Sequence, residues 1–363
     1  MALSEQALLA ALQKVIDPNT GKDFVTTKAL KNLSIEGDDV SFEVVLGYPA
    51  KSQMAALRQS LIAAAKSVAG VGNVSANLRS EVIAHAVQRG VPLLPGVKNI
   101  VAVASGKGGV GKSTTTANLA LALAAEGAKV GILDADIYGP SQPMMMGIDG
   151  RPESVDGQTM EPLVNHGVQV MSIGFMVSRD DAMIWRGPMA TQALEQLLRQ
   201  TNWGELDYLL VDMPPGTGDI QLTLSQRVPW TGAVIVTTPQ DIALLDARKG
   251  VVMFEKVGVP ILGLVENMAV HVCSQCGHVE HIFGQDGGKR YASEKDIDYL
   301  GALPLTMQIR QQADSGQPTV VADPQGEVAQ IYGAVARQVA IKIAAKSKDF
   351  SSKFPSIKIS KDT

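Results

Sequence analysis

The chain has 363 residues, 45% hydrophobic and 19% charged, a balance that supplies a sizeable core and excludes disorder along its whole length. Thirty-two Lys and Arg against 36 Asp and Glu give a formal charge of -4, so no broad basic footprint favours nucleic acid as a partner. No run approaches the roughly 18 apolar residues of a spanning helix, and 2 cysteines cannot build a disulfide framework; the expectation is a soluble, cytoplasmic protein.

In chain order, the opening MALSEQALLAALQKVIDP lacks a basic leader region and reads as an amphipathic helix. Its apolar period runs from Ala7 to Ile16 and is closed by Asp17-Pro18-Asn19 and Gly21. Val40–Leu46 alternates as a strand, Ser52–Val68 has helical spacing, and Gly70-Val71-Gly72-Asn73 turns into a short strand, Val74–Leu78. Residues 1–80 are therefore expected to form a small α+β domain, without cysteine and with His85 as the only histidine in reach. Residues 81–97, with Pro92 and Pro95 and no strong period, read as a linker able to dock onto a domain surface. From Lys98 the pattern changes to short apolar runs alternating with helical stretches. The runs are Ile100–Ala104, Lys129–Leu133, Val168–Ile173, Tyr208–Val211, Ala233–Val236 and Ile261–Val265. Continuous apolar strands belong to parallel sheets covered on both faces, so residues 98–345 are expected to be one α/β domain. The Lys- and Ser-rich tail, 346–363, is expected to be loose.

Directly after the run Ile100–Ala104 comes Ser105-Gly106-Lys107-Gly108-Gly109-Val110-Gly111-Lys112-Ser113-Thr114, followed by a helical stretch from Thr115. From Gly106 to Ser113 this is G-x-x-x-x-G-K-[ST] in strand–loop–helix context. The glycines let backbone N–H groups converge on phosphate oxygens at a helix N-terminus. Lys112 is expected to reach the β- and γ-phosphates of ATP, and the Ser113 hydroxyl to ligate Mg²⁺. Two further carboxylate motifs, Leu133-Asp134-Ala135-Asp136 and the run ending at Asp212 before Met213-Pro214-Pro215-Gly216, fall where parallel strands present side chains to a ligand crevice. Asp134 reads equally as a group near Mg²⁺ and as a capping residue. Asp219 carries a weaker signal, and Met144-Met145-Met146 reads as packing.

With its second lysine, Lys107, the loop closely resembles the deviant phosphate loop of MinD/ParA-type ATPases. The resemblance implies that Lys107 reaches the partner's nucleotide across a homodimer, that Asp136 orients the attacking water, and that Asp212 holds Mg²⁺ through water. It further implies that the Pro-Pro-Gly segment senses the γ-phosphate and that Asn267, after the last of these strands, recognises the adenine edge.

Both cysteines lie in Cys273-Ser274-Gln275-Cys276, within the stretch HVCSQCGHVEH. A redox pair, a compact zinc knuckle using His278 and His281, two core thiols, and a shared cluster site are all compatible with this spacing. An iron–sulfur cluster takes four thiolates; one chain offers two, and a two-fold dimer offers four.

The motifs GKGGVGKST, DADIYGPSQP, WRGPM at Trp185–Met189, VDMPPGTGD, ENM, CSQCG and the late IRQQADSGQP together resemble the Mrp/ApbC branch, the iron–sulfur cluster carrier ATPases. The first 80 residues resemble the MIP18-like domain that precedes the ATPase in bacterial members, without the reactive cysteine some relatives carry there. The resemblance implies a homodimeric ATP hydrolase with slow, switch-like turnover. It would share a 4Fe-4S cluster between Cys273 and Cys276 of two subunits, receive it from cluster-assembly scaffold proteins and deliver it to apoproteins. Two other readings, a positioning ATPase on membrane or DNA and an ATPase with a structural zinc knuckle, share the phosphate loop and differ at the cysteines.

Overall fold

The computed structural model describes residues 3–85, 87, 91–177 and 187–346; Trp185 and the segment after Lys346 lie outside the described residues. Helix α1 (Glu5–Leu12) begins at Ser4, whose hydroxyl accepts the Ala7 N–H. It stops at Leu12, short of the expected Ile16, because Ile16 leaves to bridge Asp23. Strands β1 (Leu30–Glu36) and β2 (Asp39–Leu46) pair antiparallel. Helix α2 (Met54–Lys66) then crosses over to β3 (Val74–Ser80), which lies parallel to β2. Helix α2 buries Leu57, Leu61 and Ala65 at four-residue spacing, and β2 turns Val40, Phe42, Val44 and Leu46 inward at two-residue spacing.

The larger part alternates strand and helix: β4 (Ile100–Ala104), α3 (Lys112–Ala125), β5 (Val130–Asp134), α4 (Gln142–Met145) and the antiparallel pair β6 (Leu163–Asn165) and β7 (Val168–Ser172). It continues through α5 (Gly187–Gln200), β8 (Tyr208–Asp212), α6 (Asp219–Arg227), β9 (Gly232–Thr237), α7 (Asp241–Lys256) and β10 (Ile261–Glu266). A small hairpin, β11 (His271–Val272) with β12 (Val279–Glu280), precedes α8 (Gly287–Lys295), β13 (Tyr299–Ala302), α9 (Met307–Asp314), α10 (Thr319–Ala322) and α11 (Glu327–Ala344). The eight-stranded sheet has the order β13-β10-β9-β4-β8-β5-β7-β6 and is parallel except at the β6 edge. Strands β4, β5, β8 and β9 are buried at every position, as a sheet covered on both sides requires. Alternate residues divide between the two faces. Val101 and Val103 of β4 join the layer of α3 and α11, while Ile100, Ala102 and Ala104 join that of α5, α6 and α7.

The small amino-terminal unit is not a separate bead on a linker: its core is continuous with the α3–α11 layer. Glu126, at the C-cap of α3 and 5% exposed, makes the junction. Its carboxylate accepts the Ser52 N–H at 2.9 Å and the Ser52 hydroxyl at 2.7 Å, and pairs with Arg337 of α11. The expected linker is itself docked, with Val82, His85 and Leu94 buried. His85 Nδ1 lies 3.1 Å from Asn99 Oδ1 at the foot of β4. The run Val168–Ile173 ends one residue early, since Ser172 starts a 3-10 turn over Ile173–Phe175.

Candidate functional site

The phosphate loop joins the central strand β4 to α3, so it lies at the carboxyl edge of the sheet. Gly109 and Gly111 have φ of 80° and 81°, left-handed values that glycine adopts without a steric penalty. A Cβ on Gly111 would collide with the Asn267 carboxamide, and one on Gly106 with the main chain of Asp246 and Ala247 in α7. A Cβ on Gly108 or Gly109 would meet open space, leaving that side of the loop to a ligand. The loop, Ser113, Thr114, Asp136, Ser141, Met145 and Pro215 line a cavity of about 210 Å³.

Strand register sets the electrostatics below this cavity. Asp134 and Asp212 are paired partners on β5 and β8, both fully buried. Burial, and then the neighbouring Asp212 carboxylate, push the Asp134 carboxyl up to about 7. Lys112 forms an ion pair with Asp212 and reaches the Ser113 hydroxyl at 3.2 Å. Asp212 also accepts from the Thr116 hydroxyl at 3.2 Å and from Gln142 Nε2 at 2.9 Å. Asp134 serves as a backbone clamp: its carboxylate takes the N–H groups of Asp136, Ser141 and Gln142 and the hydroxyl of Ser172. Asp136 is half-buried on the cavity wall, its carboxyl raised by burial and lowered in part by Lys112.

The residues singled out in the sequence therefore converge in part. Lys112, Ser113 and Asp136 line one cavity with the loop glycines, and the buried Asp212 joins them through its ion pair with Lys112. Asn267 is 7% exposed and donates to the Val110 carbonyl at 2.9 Å, so it braces the loop. Lys107 stands exposed on the loop's outer side, without an ion pair among the described residues. Asp219 begins α6 and is not among the cavity-lining residues; of the three methionines expected to pack, Met146 has no exposure, Met145 lines the cavity and Met144 is exposed. Sequence reasoning missed Gln142 and Ser172, whose only signal is that each begins a helical turn.

The cysteines form a second, separate place. They occupy the tip between β11 and β12, Cys276 exposed and Cys273 half-buried, both as free thiols. The turn is closed by Cys273 N–H to the His278 carbonyl at 2.9 Å and by Gly277 N–H to the Cys273 carbonyl at 2.8 Å. The backbone N–H groups of Cys276 and Gln275, and then the Cys276 thiol, hold the Cys273 thiol below its ordinary range. Two histidines pin the base of the hairpin: His271 Nδ1 lies 3.0 Å from the Leu305 carbonyl and His281 Nδ1 3.0 Å from that of Ala269. His278 faces Glu280 at 3.9 Å. Among the described residues no three His, Cys, Asp or Glu side chains assemble into a metal-holding group; of the two histidines weighed for a zinc knuckle, His278 faces Glu280 and His281 the Ala269 carbonyl.

Comparison with known proteins bears on both places. Residues 96–340 match the model described as NUBPL iron-transfer P-loop NTPase, and residues 5–76 the one described as iron-sulfur cluster assembly protein. The chain belongs to the iron-transfer P-loop NTPase family. It is similar to the iron-sulfur cluster carrier protein of Escherichia coli strain K12, 51% identical over 91% of this chain and 88% of the relative. The mouse iron-sulfur cluster transfer protein NUBPL is 52% identical over 72% of this chain and 82% of its own. Among solved structures, an Archaeoglobus fulgidus nucleotide-binding protein in complex with ADP is 38% identical with a TM-score of 0.56, covering 64% of this chain and 90% of that one. The Pyrococcus furiosus cell division ATPase MinD, at 23% identity and a TM-score of 0.51, shares the fold. No helix among the described residues is long and apolar enough to cross a membrane.

Proposed function

We propose that the protein is an iron–sulfur cluster carrier: it holds a 4Fe-4S cluster between the hairpin tips of two copies and passes it to apoproteins, with ATP binding and hydrolysis at the phosphate loop biasing the exchange. The observation that carries this reading is the hairpin. It presents two adjacent thiols, one held below the ordinary thiol range by backbone N–H groups, with no third ligand assembled beside them among the described residues. A four-thiolate cargo then requires a second copy. Exposed apolar side chains occur on the hairpin, Val272 and Val279, just after it, Ile282, and on α7, Ile242 and Leu245. The chain leaving the hairpin packs Gly284 and Gly287 against Pro239 at the start of α7, so these belong to one region suited to self-association. The names of the relatives point to the same cargo.

At the nucleotide site the residues fit a hydrated divalent cation. Ser113 offers a hydroxyl at a helix N-terminus, and the buried Asp134–Asp212 pair has one cation, Lys112, for two carboxylates. Bound there, Mg²⁺ would neutralise β- and γ-phosphate charge. Lys112 would leave Asp212 for the phosphates, the loop N–H groups would hold their oxygens, Asp136 would orient water, and Lys107, free on the outer face, would reach the partner's nucleotide. Asn267, set against the loop backbone, would border the base. Turnover of such a switch is slow because its product is a change of state.

Anaerobic reconstitution with iron and sulfide tests the cargo reading. About two irons per chain in a dimer, lost in Cys273→Ala, is the expected result. Zinc on a monomer, or iron retained without the thiol, overturns it.

A further inference from the structure

The hairpin turn holds both cysteines of the chain as free thiols, Cys276 exposed and Cys273 half-buried. The Gly277 N–H, donating to the Cys273 carbonyl, closes a turn over Cys273–Cys276, and the pairing of Val272 with Val279 holds its stem. Residues three apart in such a turn lie under about 7 Å from each other at Cα, the separation that a disulfide spans. The Cys276 thiol already donates a hydrogen bond to the Cys273 sulfur, so side-chain rotation is enough to join them. The two sulfurs are not equivalent. The backbone N–H groups of Gln275 and Cys276 also converge on the Cys273 sulfur, whereas Cys276 faces solvent. An incoming thiol or disulfide reaches the exposed sulfur first, and the sulfur that accepts from donors is the better leaving group when a closed pair is opened.

We propose that the empty hairpin is a thiol–disulfide switch: it closes into a Cys273–Cys276 disulfide by exchange with a low-molecular-weight disulfide of the glutathione type, Cys276 being the exchanging sulfur and Cys273 the resolving one. The Cys276 sulfur, its proton released to solvent, attacks one sulfur of glutathione disulfide. A Cys276–glutathione bond forms, the glutathione S–S bond breaks, and one glutathione leaves as thiolate and takes up a proton. The Cys273 sulfur, deprotonated in turn, attacks the Cys276 sulfur and expels the second glutathione. Two protein thiols are oxidised and one small disulfide is reduced to two thiols. Opening by a thiol runs the same path backwards, entering at Cys276 and releasing Cys273. A closed pair has no thiolate to offer a metal, so the switch sets when the hairpin can be loaded, and a bound cluster keeps it from closing. That regulatory consequence rests on the cargo reading above; the exchange itself does not.

The test mixes glutathione disulfide with the full-length protein, reduced, freed of metal by a chelator and kept without oxygen, and reads intact mass and peptide maps. The parent is expected to lose two hydrogens, with Cys273 joined to Cys276 and no glutathione retained. Cys273→Ser should stop at a glutathione adduct on Cys276, formed at least about tenfold faster than the adduct on Cys273 in Cys276→Ser. A parent that keeps glutathione, a covalent dimer on a non-reducing gel, or equal adduct rates in the two variants overturns the proposal. Melting midpoints check that both variants are folded. Independently of them, an early acid quench of the parent should trap its adduct on Cys276, and an adduct on Cys273 overturns the assignment. Parent protein reconstituted with iron and sulfide should close at least about tenfold more slowly than the empty protein; equal rates overturn the switch. A parent that takes up no iron removes the cargo reading and leaves the exchange result standing, so the two failures are distinct.

Discussion

The nucleotide site and the cysteine hairpin are built on opposite plans. Around the phosphate loop, Lys112, Asp134, Gln142 and Asp212 are buried and cross-linked by hydrogen bonds from three strand ends and two helices. Around the cysteines, two short strands stand out from the body, their side chains mostly exposed and their base held by two imidazole–carbonyl bonds. A site that must bind and cleave a diffusible nucleotide gains from pre-organisation, because donors already in place need no rearrangement as charge develops. A site whose cargo must leave for another protein gains from access on all sides. On the reading proposed above, the difference separates a resident site from a handover site within one chain.

The largest effects should break the two places independently. Cys276→Ala is expected to abolish cluster reconstitution, read as iron per chain, while moving stability by under about 0.5 kcal/mol, as for an exposed side chain. Lys112→Ala should reduce ATP hydrolysis by on the order of a hundredfold or more, measured as phosphate release. If Cys276→Ala also lowered the urea midpoint markedly, the hairpin would be part of the core and the contrast would fall. Lys107→Ala sharpens the comparison, because Lys107 is the exposed member of a buried site. Hydrolysis should fall by about tenfold or more, with nucleotide binding by the single chain largely kept and the loss removed from dimer formation to the chemistry of the pair.

A smaller effect is expected at the junction with the amino-terminal unit. Glu126→Ala removes the carboxylate from Ser52 and leaves Arg337 short of its partner in a mostly buried place, which should cost about 3 kcal/mol in a urea titration. The smallest is a shift of pH dependence. In the metal-free protein the Cys273 thiol is held below the ordinary thiol range by neighbouring N–H groups, so its thiolate persists to lower pH than that of a free thiol. The midpoint of its alkylation rate with iodoacetamide, followed by peptide mass, should lie below that of a free cysteine measured alongside. A midpoint above it would show that the turn does not stabilise the thiolate.

What could be read beforehand follows from how local each signal is. The stretch GKGGVGKST announces itself because strand, glycines and helix start are contiguous, and the all-apolar strands do so because burial on both faces leaves no polar position. Gln142 was silent because its partners lie 29 and 70 residues away. The histidines of HVCSQCGHVEH looked like ligands in sequence. In space, His271 turns to a carbonyl 34 residues on and His281 turns back to its own hairpin base. Strand β13, four residues on the sheet edge with a glycine at φ 151°, has too short a run to show a period. The docking of the small unit depends on Glu126 and Arg337, 211 residues apart, and no local pattern reports it.

Helix α3 gives that docking a mechanical meaning. Its 14 residues make a rod about 21 Å long, with the phosphate loop at one end and Glu126 at the other. The two ends share one unbroken ladder of backbone hydrogen bonds, so a tilt imposed at the loop reappears at Glu126 as a sideways travel. The small unit and the phosphate loop are thus attached to the two ends of one rod.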